Sequence, residues 1–71
     1  MLQQGTIQQI IGVVIDASFD KDVPPMYQAL KATRADGSEL TFEVVQHLSP
    51  HTVRAIALGS TDGLRRGQPV T

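Results

Sequence analysis

Alternation of apolar and polar side chains over residues 40–70 constrains the fold of this chain more than any other feature. Successive side chains of a strand point to opposite sides, so Leu40, Phe42 and Val44 share one face of an extended chain. After a short break, residues 52–58 show a second strand pattern. The cluster Gly-Ser-Thr-Asp-Gly that follows favours a turn. This stretch predicts a protein built from short β-strands.

The beginning of the chain carries a similar signal. Residues 5–11 are typical of a strand, which Gly12 interrupts in the manner of a bulge or a sharp bend. Val13, Val14 and Ile15 then form a run that is apolar on both faces. Such a run indicates a strand that is buried on two sides or that meets a partner on its second side.

Prolines and glycines divide the rest of the chain. Two consecutive prolines remove N–H donors, so residues 20–25 predict a loop outside the sheet. Residues 26–30 could form one helical turn or run straight into the next strand, and we favour the helical turn. Residues 35–38, Ala-Asp-Gly-Ser, predict a hairpin with a tight primed turn, which needs positive φ at both central residues. Asp62-Gly63 and Arg66-Gly67 predict later turns. We therefore expect an all-β fold, a small six-stranded antiparallel β-barrel.

Length and composition limit the possible functions. The chain has 71 residues, no cysteine and a formal net charge of -1, so a disulfide framework and a thiolate metal site are excluded. The charge does not favour phosphate backbones or anionic lipid, and no apolar run reaches the ~18 residues of a membrane span. We expect residues 1–71 to form one soluble, cytoplasmic domain. Residues 68–71 look like a strand cut short, so we expect a fragment of a longer chain.

Candidate chemical sites are few. His47 and His51 are four residues apart with Glu43 nearby, but Pro50 breaks any helix that would bring both imidazoles to one metal ion. We interpret them as a surface pair beside a turn. No glycine precedes a Lys-Ser or Lys-Thr pair, so a phosphate-binding loop is not predicted. We predict no catalytic, cofactor-binding or metal-binding residue.

Two binding modes need separate consideration. Pro24-Pro25-Met26-Tyr27 matches a motif that aromatic grooves recognise in polyproline II form, although we expect a rigid loop whose Tyr27 packs on the barrel. Small barrels also bind single-stranded nucleic acid through stacked aromatic side chains and a basic groove. The chain has only three aromatic residues, Phe19, Tyr27 and Phe42. A free-standing barrel that binds a peptide or single-stranded nucleic acid therefore stays an alternative.

Three blocks of sequence form a recognisable pattern. Residues 5–16, GTIQQIIGVVID, resemble G-x-I-x-Q-V-I-G-P-V-V-D, and residues 23–30, VPPMYQAL, resemble L-P-P-I-Y-N-A-L. Residues 43–48, 53–58 and 60–67 are similar to E-V-x-Q-H-L, V-R-x-I-A-M and S-T-x-G-L-x-R-G. Together the blocks resemble the N-terminal β-barrel, or crown, domain of the catalytic β subunit of F-type ATP synthase.

The third block is the most specific, because the related α subunit shares the barrel but lacks the pairing of Q-H-L with S-T-x-G-L. The chain also departs from the family pattern. Val13 stands where proline is usual, Ser49 where glycine is common, and Leu58-Gly59 where methionine and an acidic residue are frequent. These departures leave the barrel interpretation intact and indicate a divergent branch.

The resemblance implies a parent enzyme that makes ATP from ADP and phosphate using a transmembrane ion gradient. Its nucleotide-binding and C-terminal domains would follow residue 71, so ATP or ADP and Mg²⁺ would bind there and no cofactor would bind here. The barrel would join α subunits in an alternating α3β3 hexamer, a peripheral complex at the cytoplasmic face of a bacterial inner membrane. Nucleic acid binding and direct membrane insertion are not expected. For the subunit contact we predict Val13, Val14 and Ile15, from their two-faced apolar run.

Overall fold

The computed structural model describes residues 4–71, which contain six strands joined by turns and loops. The strands are β1 (Gly5–Ile11), β2 (Val14–Phe19), β3 (Ala29–Thr33), β4 (Glu39–Ser49), β5 (Thr52–Ala57) and β6 (Pro69–Val70). They form one sheet in the order β3-β4-β5-β2-β1-β6, and each neighbouring pair is antiparallel. The predicted all-β, six-stranded antiparallel barrel is confirmed. No helix that could cross a membrane occurs in the part of the chain that the structure describes.

Strand β6 brings the two ends of the sheet together. Thr71, directly after β6, exchanges backbone hydrogen bonds of 2.6 and 2.9 Å with Lys31 of β3. On the other side, the Ile7 N–H of β1 donates to the Gln68 carbonyl oxygen at 3.0 Å. The Gln68 side-chain amide also donates to the Thr33 carbonyl oxygen at 2.9 Å. The sheet is therefore a nearly closed barrel in which every strand has a neighbour on both sides.

The barrel interior is filled by alternate side chains from all six strands, as the strand period of two requires. Leu40, Phe42 and Val44 point inward, which confirms the face predicted from the alternation in β4. The buried apolar side chains are Ile7, Ile15, Ala17, Phe19, Leu30, Ala32, Leu40, Phe42, Val44, Val53, Ala55, Ala57 and Val70. Burial of these residues is the main term that stabilises the barrel.

The break after β1 is a hairpin turn. Residues 12 and 13 connect β1 to β2, with Ile11 paired to Val14 across the turn. Gly12 has φ +58°, and a two-residue turn with positive φ at its first position favours glycine there. The predicted sharp bend at Gly12 is confirmed. The prediction that residues 13–15 all belong to one strand is wrong. Val13 belongs to the turn, and the strand begins at Val14.

The hairpin at residues 35–38 is confirmed, with Thr33 paired to Glu39, but its predicted turn type is wrong. Only Gly37 has positive φ, at +89°, while the two preceding residues keep negative φ. The Gly37 N–H donates to the Arg34 carbonyl oxygen at 2.9 Å, and the Arg34 N–H donates to the Ser38 carbonyl oxygen at 2.7 Å. This is the three-residue hairpin loop whose glycine forms a bulge.

Residues 26–30 form no helical turn, which corrects the prediction. The Gln28 N–H donates to the Pro25 carbonyl oxygen at 3.2 Å, and Tyr27 has φ +67°, as at the third position of a type II turn. Strand β3 begins directly afterwards, at Ala29. Tyr27 is 70% exposed, so the expectation that its ring packs on the barrel is also wrong. The Tyr27 side chain faces solvent, while its backbone N–H donates to the Val44 carbonyl oxygen of β4 at 2.7 Å.

Candidate interaction surface

An apolar row crosses the outside of the barrel beside the β1–β2 hairpin. In the strand register Ile11 pairs with Val14, and Val14 pairs with Ile56 of β5. Side chains paired across antiparallel strands lie on the same face of the sheet. Ile15 and Ala57, the next residues in sequence, point inward, so Val14 and Ile56 point outward.

Four large apolar side chains around this row are exposed to solvent, and we call them the apolar patch. Their exposed fractions are 61% for Ile11, 50% for Val13, 38% for Ile56 and 69% for Leu58. Val14 lies among them and is half-buried. Single exposed apolar residues are ordinary, but a group of four at the β1–β2 hairpin and the adjoining end of β5 is typical of a surface that contacts another molecule.

The backbone beneath the apolar patch is held in place by hydrogen bonds. The Ala57 N–H donates to the Val13 carbonyl oxygen at 2.7 Å, which ties the hairpin turn to β5. The Thr61 hydroxyl donates to the Gly12 carbonyl oxygen, also at 2.7 Å. The hairpin therefore cannot fold its apolar side chains back onto the barrel without breaking these bonds. The patch is a preformed surface.

Charged groups border the row on two sides, and one of them is exposed Glu43 of β4, the direct cross-strand partner of Ile56. Asp16 and Arg54 are direct cross-strand partners on β2 and β5, two residues from Val14 and Ile56 on the same outer face. Arg54 donates from Nε to Asp16 Oδ1 at 2.9 Å and from Nη2 to Oδ2 at 3.2 Å. Hydrogen bonding to the Asp16 carboxylate, and its charge, raise the pKa of the Arg54 guanidinium. The border of the patch thus presents a paired charge at Asp16 and Arg54 and a carboxylate at Glu43.

Of the three residues predicted for a subunit contact, two lie on the outside of the barrel and one lies inside it. Val13 and Val14 lie at the apolar patch, whereas Ile15 is 1% exposed and packs in the barrel core. The side chain of Ile15 therefore cannot reach a partner, and the contact prediction is restricted to Val13 and Val14. Val14 and Ile15 differ in this way because successive side chains of a strand point to opposite faces of the sheet.

Sequence reasoning missed Ile11, Ile56 and Leu58. The sequence does contain a signal for Ile56. One face of β5 is entirely apolar, with Val53, Ala55 and Ala57, and Ile56 is an apolar residue on the opposite, otherwise polar face. Its proximity to Ile11 depends on β5 pairing with β2, which local patterns do not predict. The order of the strands in the sheet therefore brings the residues of the apolar patch together.

The two histidines attach the proline loop to the barrel. His47 Nε2 lies 2.8 Å from the Pro24 carbonyl oxygen, and His51 Nδ1 lies 3.1 Å from the Lys21 carbonyl oxygen. Because each ring nitrogen faces a carbonyl oxygen, it carries a hydrogen and donates it. Within residues 4–71 no group of three or more His, Asp or Glu side chains is arranged to hold a metal ion.

The aromatic side chains do not form a stacking surface. Phe19 and Phe42 are buried inside the barrel, so of the three aromatic rings only that of Tyr27 is exposed. Successive bases of a single strand need several exposed rings beside a basic groove. This placement argues against the nucleic-acid alternative.

One open depression, about 660 Å³ in volume, lies at the seam between β3 and β6. Lys31, Arg34 and Arg65 contribute to its lining. The Arg34 guanidinium already donates to the carbonyl oxygen of Ser60 at 3.0 and 3.2 Å and to the Ser38 hydroxyl at 3.0 Å. Arg34 therefore holds the adjoining loops together and does not offer a free anion-binding group.

Comparison with known protein families matches residues 7–71 to the beta-barrel domain of the ATP synthase alpha/beta family. The match covers most of the 71-residue chain, from inside β1 to the residue after β6. The chain belongs to this family.

Proposed function

We propose that this member of the ATP synthase alpha/beta family is the N-terminal barrel of a catalytic β subunit of F-type ATP synthase. Its role is assembly: it links α and β subunits into the hexameric ring. The parent subunit makes ATP from ADP and phosphate using a transmembrane ion gradient, or runs in reverse. ATP or ADP and Mg²⁺ bind in the nucleotide-binding domain that follows, and the complex works at the cytoplasmic face of a membrane.

Assignment to the β type rather than the α type rests on two stretches that resemble the β subunit. One is Val-Pro-Pro-Met-Tyr at residues 23–27, and the other is Gln-His-Leu at residues 46–48. These stretches touch, because His47 Nε2 contacts the Pro24 carbonyl oxygen at 2.8 Å. The histidine thus has a structural reason to accompany the proline loop, since it satisfies a carbonyl that no strand neighbour reaches.

The apolar patch is the observation that carries the assembly role. Its side chains stand on hydrogen-bonded strands and a fixed turn, so little conformational entropy is lost when a partner covers them. The charges of Asp16 and Arg54 on one side of the patch are paired, which lowers the desolvation cost of covering that side. We assign the patch to contact with the barrel of an adjacent α subunit.

The experiment measures binding between the purified chain and the barrel domain of an F-type α subunit by analytical ultracentrifugation. Val13→Asp and Leu58→Asp each place a charge in the apolar patch. Each should weaken the complex at least about tenfold, because the carboxylate must be desolvated without a partner. Val14→Asp should weaken the complex in the same way. Because Val14 is half-buried, circular dichroism is needed to show that this variant still folds.

Leu48→Asp is the matched control. Leu48 is 39% exposed, close to the 38% of Ile56, but it lies near the β4–β5 turn, at the opposite end of β5 from the patch. This variant should bind the α barrel as the unchanged chain does. If Val13→Asp and Val14→Asp both leave assembly intact, the patch is not the contact.

Sequencing the source gene downstream of codon 71 tests the β assignment independently. A G-x-x-x-x-G-K-[ST] element between strand and helix patterns would support a nucleotide-binding subunit. A stop codon there, together with oligonucleotide binding that falls steeply with salt, would favour the free-standing binding module instead.

A further inference from the structure

The chain contains two Asp-Gly pairs, and both lie in exposed turns. One is Asp36-Gly37 in the β3–β4 hairpin, and the other is Asp62-Gly63 in the loop between β5 and β6. An aspartate followed by glycine is especially open to isomerisation, because glycine has no side chain to shield its backbone nitrogen from the aspartate carboxyl group. The two turns differ in how they hold the reacting groups.

The reacting groups of Asp36-Gly37 are held by hydrogen bonds. Asp36 Oδ1 accepts from the Ser38 hydroxyl at 2.6 Å and from the Ser38 N–H at 2.9 Å. The Gly37 N–H donates to the Arg34 carbonyl oxygen at 2.9 Å. The same Ser38 contacts lower the pKa of the Asp36 carboxyl, which reduces the fraction present as the neutral acid. The carboxyl and the nitrogen must leave these partners before they react with each other.

The corresponding groups of Asp62-Gly63 have no such partners. Among the residues that the structure describes, none makes a hydrogen bond or ion pair with the Asp62 carboxylate, and none accepts a hydrogen bond from the Gly63 N–H. The turn is held by other groups instead. The Asp62 N–H donates to the Ser60 hydroxyl at 3.1 Å, and the Leu64 N–H donates to the Thr61 carbonyl oxygen at 3.1 Å. The Asp62 side chain is therefore free to rotate towards the Gly63 nitrogen.

We propose that Asp62 is the site at which this chain isomerises to isoaspartate, through a cyclic succinimide. The Gly63 nitrogen attacks Cγ of the neutral Asp62 acid. A C–N bond forms, the C–OH bond of the carboxyl group breaks, and the hydroxyl leaves as water with the amide proton.

Water then opens the ring in either of two ways. Attack on the main-chain carbonyl carbon of residue 62 breaks its bond to the Gly63 nitrogen, so the chain continues through Cγ, which is isoaspartate. Attack on Cγ restores aspartate. The reaction consumes and releases only water, and it does not depend on which subunit of the family the chain represents.

Isoaspartate at residue 62 would alter a loop that is bonded to the β3–β4 hairpin. The Gly63 carbonyl oxygen accepts from the Ala35 N–H at 3.0 Å, and the Ser60 carbonyl oxygen accepts from the Arg34 guanidinium at 3.0 and 3.2 Å. Isoaspartate adds one methylene group to the main chain between these two acceptors. Both contacts cannot then keep their geometry, so the modified chain should unfold at a lower temperature than the unmodified chain.

The test compares the two Asp-Gly pairs within one chain. The purified chain is kept folded at about pH 5, where an ordinary aspartate is still partly protonated. Mass spectrometry with electron-transfer fragmentation then distinguishes isoaspartate from aspartate in its peptides. Isoaspartate should accumulate at residue 62 at least about fivefold faster than at residue 36, because Asp36 must first give up its hydrogen bonds. In a sample unfolded in concentrated urea those bonds are absent, so the ratio of the two rates should fall towards one.

Two variants isolate the cause of the difference. Asp62→Glu keeps the charge but cannot form the five-membered ring, so modification at residue 62 should disappear while the rate at Asp36 stays unchanged. Ser38→Ala removes one donor to Asp36 and should raise the rate at Asp36. Circular dichroism shows that both variants are folded.

Equal rates at the two pairs in the folded chain would overturn the proposal, as would absence of isoaspartate at residue 62 or an unchanged ratio in urea. An unchanged rate at Asp36 in Ser38→Ala would also overturn it, because the hydrogen bonds would then not account for the difference. None of these measurements involves an α-subunit barrel, so failure here and failure of the assembly role are distinguishable.

Discussion

Lys31 and Thr71 exchange two backbone hydrogen bonds, of 2.6 and 2.9 Å, and these join the last residues of the chain to β3. Strand β6 itself has only two residues, so backbone pairing alone gives the closure little strength. The apolar side chain that accompanies it, Val70, is 1% exposed. We conclude that closure of the barrel depends on burial of Val70 as well as on the Lys31–Thr71 pair.

Val70→Ala should therefore destabilise the whole barrel rather than loosen one end of it. Loss of two buried methyl groups, with the cavity they leave, should lower the free energy of unfolding by about 2 kcal/mol. Urea denaturation followed by circular dichroism measures this. Thr71→Ala is the control, because its exposed side chain can be removed while its backbone hydrogen bonds remain. If Val70→Ala changes the free energy of unfolding by less than about 0.5 kcal/mol, closure between β6 and β3 contributes little to stability.

Gly5→Ala should also be destabilising, because there is no room for a methyl group at this position. A Cβ on Gly5 would lie 2.7 Å from the Phe19 ring and 2.7 Å from the Ser18 carbonyl oxygen. Overpacking of this kind costs about 1–3 kcal/mol. Gly59→Ala is the comparison, since its nearest neighbours at 3.1 and 3.3 Å are side-chain ends of Leu40 and Arg34. A smaller loss at Gly5 than at Gly59 in thermal unfolding would contradict the prediction.

Tyr27 allows a test in which the usual order of alanine and glycine is reversed. Because Tyr27 has φ +67°, Tyr27→Gly should be more stable than Tyr27→Ala by about 0.5–1 kcal/mol. At Ala29, in β3, Ala29→Gly should instead lower stability by a similar amount. Urea denaturation followed by circular dichroism measures these differences. Equal stability of the two Tyr27 variants would show that this residue relaxes to negative φ in solution.

Asp36 should make part of the stability dependent on pH. Hydrogen bonds from the Ser38 hydroxyl at 2.6 Å and from the Ser38 N–H at 2.9 Å lower the pKa of Asp36. A carboxylate with a lower pKa in the folded state stabilises the fold above its unfolded pKa, and this stabilisation is lost as pH falls through the folded pKa.

The difference in unfolding free energy between the unchanged chain and Asp36→Ala should therefore be greatest near neutral pH and shrink on acidification. Denaturation series from about pH 7 to pH 2 measure it. In a Ser38→Ala background the shrinkage should be smaller, because the hydroxyl donor is gone. A difference that grows as the pH falls would contradict the assigned direction of the shift.

Much of the strand structure followed from local patterns. The bounds of β1 were predicted correctly, and the inward face of β4 was read from the alternation of Leu40, Phe42 and Val44. Turn chemistry placed the β3–β4 hairpin but not its geometry, because Asp-Gly is compatible with both a primed turn and a glycine bulge. The helical turn at residues 26–30 was wrong. The Tyr27 N–H donates to the Val44 carbonyl oxygen and the Val44 N–H donates to the Gln28 carbonyl oxygen. These contacts between distant residues determine that segment, and local helix propensity does not predict them.

The sequence by itself determined the all-β class, the family, and the alternation that sorts side chains into inner and outer faces, since these depend on neighbouring residues along the chain. Only the tertiary structure decided which outer residues lie together. Ile11 and Ile56 are 45 positions apart and share a surface because β2 pairs with both β1 and β5. Such pairing minimises the free energy of the whole barrel, so no short stretch of residues specifies it.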